Sequence, residues 1–174
     1  MKKIFFALLI SLTFVAFGCS KGPYTDYNNQ AFGVYFEMPG EMTIEREVAQ
    51  PFMGKYFLSL RFVDANFAID DQEFQTAGNS VSLLVNSLDF GADNRYPADH
   101  VTRLSENSDG SLSMTPLDSV SQNKQTISFY GDLRAKNGNF YQFTIYTDNE
   151  QKGEEIFKRV IESAKISEPV IPTN

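Results

Sequence analysis

The stretch "KQTISFYGDLRAKNGNFYQFTIYTDNEQKGEEIFKRVIESAKI", residues 124–166, changes its apolar period from two to three-and-a-half partway along. Before that change, apolar residues recur at alternate positions on both sides of Asn137-Gly138, the pattern of two half-buried strands joined by a turn. A two-residue turn would pair Leu133 with Gln142 and Phe129 with Tyr146, scattering the apolar set over both faces. A three-residue loop, Lys136 to Gly138, pairs Leu133 with Tyr141 and Phe129 with Ile145. It gathers Ile127, Phe129, Leu133, Tyr141, Phe143 and Ile145 on one face, so we expect a type I turn with Gly138 in the left-handed position of a bulge.

After the hairpin, Asp148 is placed to cap a helix, and Gln151 three residues later completes a capping-box pair. Ile156, Phe157, Val160, Ile161 and Ala164 then share one helical face. Glu154 and Glu155 near the start and Lys165 near the end suit the helix dipole. A hairpin followed by an amphipathic helix that must bury its stripe on it predicts an α+β domain, an antiparallel sheet flanked by helices.

Upstream, "FGVYFEM" (32–38) alternates and ends at Pro39-Gly40, and "MTIEREV" (42–48) reads as a polar, edge-like strand. "KYFLSLRFV" (55–63), with Tyr56, Leu58, Leu60 and Phe62 on one face, reads as central to the sheet. Residues 64–79 have no clean period and are expected to be irregular, with a short strand around Phe67. "SVSLLVNSLDF" (80–90) is a further strand, through Val81, Leu83 and Val85. Within the polar segment 91–113, "YPADHVTRLSE" is expected to form a short helix with Pro97 at its first position.

The N-terminus has a different composition. Lys2 and Lys3, an apolar run from Ile4 to Phe17 and small Gly18 precede Cys19, the sole cysteine. The run of 14 residues is shorter than the ~20 a membrane-spanning helix requires, so residues 1–18 read as a signal peptide. Ala16, Phe17, Gly18 and Cys19 resemble a bacterial lipobox, with Phe17 where that motif favours a small residue. This resemblance implies lipidation of Cys19 by at least two acyl chains, enough for stable membrane attachment where one chain is not. Residues 19–31, rich in Gly, Pro and Asn, read as a tether reaching roughly 20 Å. A single domain over 32–166 and a Pro-containing tail over 167–174 complete the division.

Beyond Gly18 the chain carries 13 basic and 22 acidic residues, a formal charge of minus nine. Such a surface repels phosphate backbones and argues against nucleic acid as a partner. One cysteine permits no disulfide framework, and one histidine with an acylated cysteine permits no structural zinc site. His100 follows Asp99, but catalysis would also need a nucleophile close in space, and the expectation is a surface histidine. Asp64, Asp70, Asp71 and Glu73, then Asp89, Asp93 and Asp99, lack the spacing and closing Glu of a calcium loop and read as solvated loops. "DFG" at 89–91 stands without the other kinase motifs, and the glycine-rich nucleotide and acyl-transfer motifs are absent. Phe129, Tyr130, Phe140, Tyr141, Phe143 and Tyr146 are expected to be core rings rather than a pocket lining.

"FGVYFEMPGEMT", then "YQFTIY" followed by the helix containing "FKRVIES", resembles the PsbP-like fold of many small bacterial lipoproteins. That resemblance implies a non-catalytic accessory role and brings no catalytic residues. The expected function is therefore a lipid-anchored protein of the bacterial cell envelope, acting without cofactor or catalysis through contact with an envelope protein. The alternative is a small-ligand or metal-ion binding lipoprotein that uses the acidic loops around residues 89–99. An envelope hydrolase comes third, and needs His100 in a cleft beside Asp99 and a hydroxyl.

Overall fold

The computed structural model describes residues 24–52, 55–70, 75–86, 98–117 and 126–170. The expected leader, Cys19, Asp71, Glu73, Asp89, Asp93 and Pro97 lie outside them. In chain order the described elements are β1 (Tyr24–Asn29), β2 (Val34–Pro39), β3 (Thr43–Phe52), β4 (Lys55–Val63), β5 (Ala68–Asp70), β6 (Gln75–Ala77) and β7 (Asn79–Asn86). There follow β8 (His100–Glu106), β9 (Leu112–Pro116), β10 (Ile127–Arg134), β11 (Phe140–Thr147), α1 (Glu150–Ser163) and β12 (Lys165–Ile166). The fold is α+β. A seven-stranded sheet runs in the order β3, β4, β7, β11, β10, β8, β9, beside a three-stranded sheet β1, β2, β12 and a two-stranded β5, β6.

The hairpin register follows the reading that keeps the apolar face together: Leu133 pairs with Tyr141 and Phe129 with Ile145. Ala135 N–H donates to Asn139 O at 2.9 Å and Gly138 N–H to Ala135 O at 3.0 Å, closing the three-residue loop. Gly138 has φ +83°, and a Cβ there would meet nothing within 4 Å. Its requirement for glycine is thus one of backbone conformation rather than space.

One face of the large sheet carries Leu58, Leu60, Phe62, Val81, Leu83, Val85, Tyr141, Phe143 and Ile145, all buried. Ile156, Phe157, Val160 and Ile161 of α1 pack on that face. The small sheet shares it: Phe36 of β2 meets Phe143 edge-on at 6.0 Å and Phe62 at 6.0 Å, and Tyr27 of β1 meets Phe62 at 5.5 Å. Ring pairs in such tilted arrangements contribute about 0.5–1.5 kcal/mol each beyond their burial. Ser163 Oγ, which accepts from Glu37 N–H at 2.9 Å, ties the end of α1 to β2.

Four expectations are corrected. The segment expected to be a tether up to residue 31 contains β1, whose Tyr27 enters the core. The tail is bound through residue 170, since Ser167 N–H donates to Gly33 O at 2.9 Å and Val170 N–H to Gln30 O at 2.8 Å. Gly33 (φ +61°) permits this closure, because a Cβ there would stand 2.2 Å from Ser167 O. The helix is capped by Asn149, which accepts from Lys152 N–H at 3.0 Å, and Asp148 instead accepts from Gly78 N–H at 2.9 Å. Pairing of β11 continues through Thr147, so the first helical turn starts one residue later than the capping pattern suggests.

The fourth correction concerns residues 100–106, which form β8 rather than a helix. Val101 and Thr102 are β-branched, and Leu104 is buried opposite exposed Arg103 and Ser105, a period of two that tertiary pairing enforces. β8 lies parallel to β10 and antiparallel to β9, so the sheet is mixed. In the middle segment, Asp64 organises the base of the β5–β6 hairpin. It is buried and accepts from Asn66 N–H, Asn79 N–H and Asn79 Nδ2 at 2.6–3.0 Å. Its carboxylate is thus engaged by amides, not placed as a ligand in an acidic loop.

Candidate functional site

A cleft opens where α1 crosses the β8–β9 end of the large sheet, and its construction starts at Asp99. The Asp99 carboxylate accepts from Ser128 N–H at 2.8 Å and Ser128 Oγ at 2.9 Å, while Asp99 N–H donates to Ser128 Oγ at 3.2 Å. This clamp joins the entry of β8 to the start of β10 and sets the parallel register in which His100 stands beside Phe129. The two rings stack at 4.5 Å with 14° between planes, and Phe129 stacks in turn on Phe157 of α1 at 6.0 Å. His100 Nε2 lies 3.0 Å from Glu150 Oε1, at the first residue of α1.

The helix reaches this depth because of Gly153. A Cβ there would lie 2.5 Å from Thr147 Cγ2 and 2.7 Å from Phe129 Cε2. The absent methyl lets the first turn of α1 rest on the hairpin. Between α1 and the sheet edge the cleft measures ≈ 500 Å³, with Phe129, Phe157, Met114 and Leu117 as its apolar walls and His100, Glu154 and Lys158 at its rim. Lys158 Nζ is 2.8 Å from Glu154 Oε1, and its hydrogen bond and charge hold the Glu154 carboxyl below the ordinary range.

The site brings together only some of the residues singled out from sequence. His100 is not an isolated surface residue: it lines the cleft, with its side chain 37% exposed. Its acidic neighbour in space is Glu150, whereas Asp99 turns its carboxylate to Ser128. Among the six aromatic candidates, Phe129, Tyr141 and Phe143 are core, Phe129 also forming a cleft wall, and Tyr130 is buried on the opposite face of the sheet. Phe140 and Tyr146 are half-buried. Among the described residues, no group of three or more His, Cys, Asp or Glu side chains is placed to hold a metal ion, and no helix is long and apolar enough to cross a membrane.

Chemically, the cleft offers an apolar bed with a charged margin, suited to shielding an aliphatic or aromatic group from water while polar atoms remain at the rim. Glu150, Met114 and Lys158 escaped the sequence reading. Glu150 and Lys158 lie on the helix that the apolar stripe announces, but no local pattern gives the strand edge they meet. Compared with protein-family models, curated proteins and solved structures, the chain matches none.

Proposed function

We propose that this chain is a bacterial envelope lipoprotein, anchored through acyl chains on Cys19, whose PsbP-like domain is a non-catalytic accessory module acting by protein contact. The supporting observation is the cleft between α1 and the β8–β9 edge. Its mouth is lined by the half-buried Met114 and Leu117, with the buried rings of Phe129 and Phe157 behind them and a rim of both charge signs around them, the combination of anchoring pocket and polar surround that protein interfaces use. His100 engages Phe129 and Glu150, and Asp99 engages Ser128, so these side chains serve the cleft's architecture rather than a proton relay.

Two measurements test this reading. Cys19→Ser should abolish acylation, shifting the protein from the membrane fraction or leaving an uncut precursor of higher mass; unchanged membrane recovery and unchanged mass sink the anchor. A photo-crosslinking residue at Met114 should capture a specific envelope protein, and Leu117→Asp, at a half-buried position in the cleft wall, should abolish the capture. Labelling of bulk lipid and abundant proteins alone counts against partner binding. One observation favours a second reading: ≈ 500 Å³ falls within the ~300–1,000 Å³ of small-ligand pockets. An apolar small molecule held in the same cleft is therefore the alternative, and it predicts crosslinking to a low-mass species.

A further inference from the structure

The face of the large sheet that points away from α1 carries a second concavity, built without any residue of the cleft. It is a depression of ≈ 260 Å³ across β3, β4, β7 and β11. A bulge after Ile44 brings Arg46 into its lining: Ile44 pairs with Phe62, but the next registered pair is Arg46 with Arg61. Without the extra residue, Arg46 would fall opposite Leu60 and take the other face. The bulge turns it outward beside Arg61, the kind of re-aiming that bulges perform.

Two like charges directly opposite on neighbouring strands repel. Glu45 answers one of them, with Oε2 3.4 Å from Arg61 Nη1. Arg46 is exposed and has no carboxylate partner among the described residues. The patch of Arg46, Arg61 and Glu45 thus keeps one uncompensated positive charge on a domain that is otherwise acidic. Beside the arginines, the side chains of Ser59, Ser82, Gln142 and Thr144 make no hydrogen bonds among the described residues. Tyr146 also lines the depression. Asp132 shares this face but accepts from Tyr130 Oη at 2.8 Å. It stands three strands from Arg61, ~14 Å away at ~4.8 Å per strand, beyond the ~8 Å screening length of physiological salt.

We propose that this depression binds a sugar bearing a carboxylate, a hexuronate or a uronate unit of a glycan. A single surplus positive charge matches a monoanion, and the guanidinium fork matches the two oxygens of a carboxylate. The unengaged hydroxyls and the Gln142 amide supply donors and acceptors for sugar hydroxyls. The volume lies just under the range of drug-sized pockets, ~300–1,000 Å³, and suits one ring rather than an extended ligand.

Calorimetric titration of the full chain in detergent with glucuronate, glucose and inorganic phosphate tests this. Glucuronate is expected to bind saturably, with glucose and phosphate each weaker by about tenfold or more, since the carboxylate fork and the hydroxyl contacts both contribute. Arg46→Gln, at an exposed position without an ion pair, should leave the domain at least as stable as the parent and weaken glucuronate by about tenfold. Lys158→Ala, at the exposed rim of the cleft, should leave glucuronate affinity unchanged, which separates this site from the first. Equal binding of glucose and glucuronate, displacement of glucuronate by equimolar phosphate, or Arg46→Gln binding as tightly as the parent would each overturn the proposal.

Discussion

On β4, β7 and β11 the residues Leu58, Leu60, Val81, Leu83, Phe143 and Ile145 point beneath α1 and the small sheet, while Ser59, Arg61, Ser82, Gln142 and Thr144 point the other way. The same backbone ladder holds both sets, displaced by one residue. Apolar burial on the first face anchors the strands, which leaves the second face free to hold arginines, hydroxyls and amides. Stability and recognition are thereby separable on this sheet, because side chains alternate across a strand.

That separation can be broken most forcefully from the buried side. Phe143→Ala removes a ring that is fully buried against Phe36 and should destabilise the domain by ~3–5 kcal/mol, measured by urea denaturation; a loss below ~1 kcal/mol would mean the face is not the core. A smaller effect of opposite sign is expected at Asn86, which lies on the outward face between the Phe57 and Phe140 positions. It is 2% exposed, and among the described residues neither atom of its side-chain amide has a partner. Asn86→Val should stabilise by roughly 1–3 kcal/mol through relief of the unmet hydrogen bonds, read as a higher urea midpoint at constant slope.

Alkali should weaken the apolar face selectively. Burial pushes the phenols of Tyr27 and Tyr141 above their ordinary value, with Glu47 beside Tyr27 acting in the same direction. Since the unfolded phenol titrates near ~10, their contribution is complete below that pH and is lost as pH rises through the higher folded values. Melting temperature should fall over that interval, in step with tyrosinate absorbance; Tyr27→Phe should flatten the dependence. The smallest change is Arg46→Thr, which removes the cross-strand repulsion with Arg61 and should raise stability by ~0.2–1 kcal/mol. A drop in melting temperature there would show that Arg46 holds the fold together, against the division of labour between the faces.

The late hairpin and helix were legible because their information is local: a glycine with positive φ, a run of alternating residues, and an apolar stripe at helical spacing. Asn149 as cap, and β8 where a helix was expected, were not. His100–Glu106 becomes a strand because β10 and β9 flank it, and neither partner is adjacent in sequence. Similarly, the His100–Glu150 pair joins residues brought together by a parallel register that no local pattern encodes. The arginine depression was hidden for another reason. Alternation assigns Arg46 to a face only once the bulge after Ile44 is known.

The three-stranded sheet has a consequence in time. β2 is hydrogen-bonded on one side to β1, which immediately precedes it, and on the other to the two-residue β12. The Glu37–Ser163 contact that accompanies this closure spans 126 positions of chain. Such distant pairings form late and slow a folding reaction. Until Lys165 and Ile166 dock, β2 presents an open edge to any other chain nearby. The two-residue β12 therefore sets how long a newly made molecule remains vulnerable to association with its neighbours.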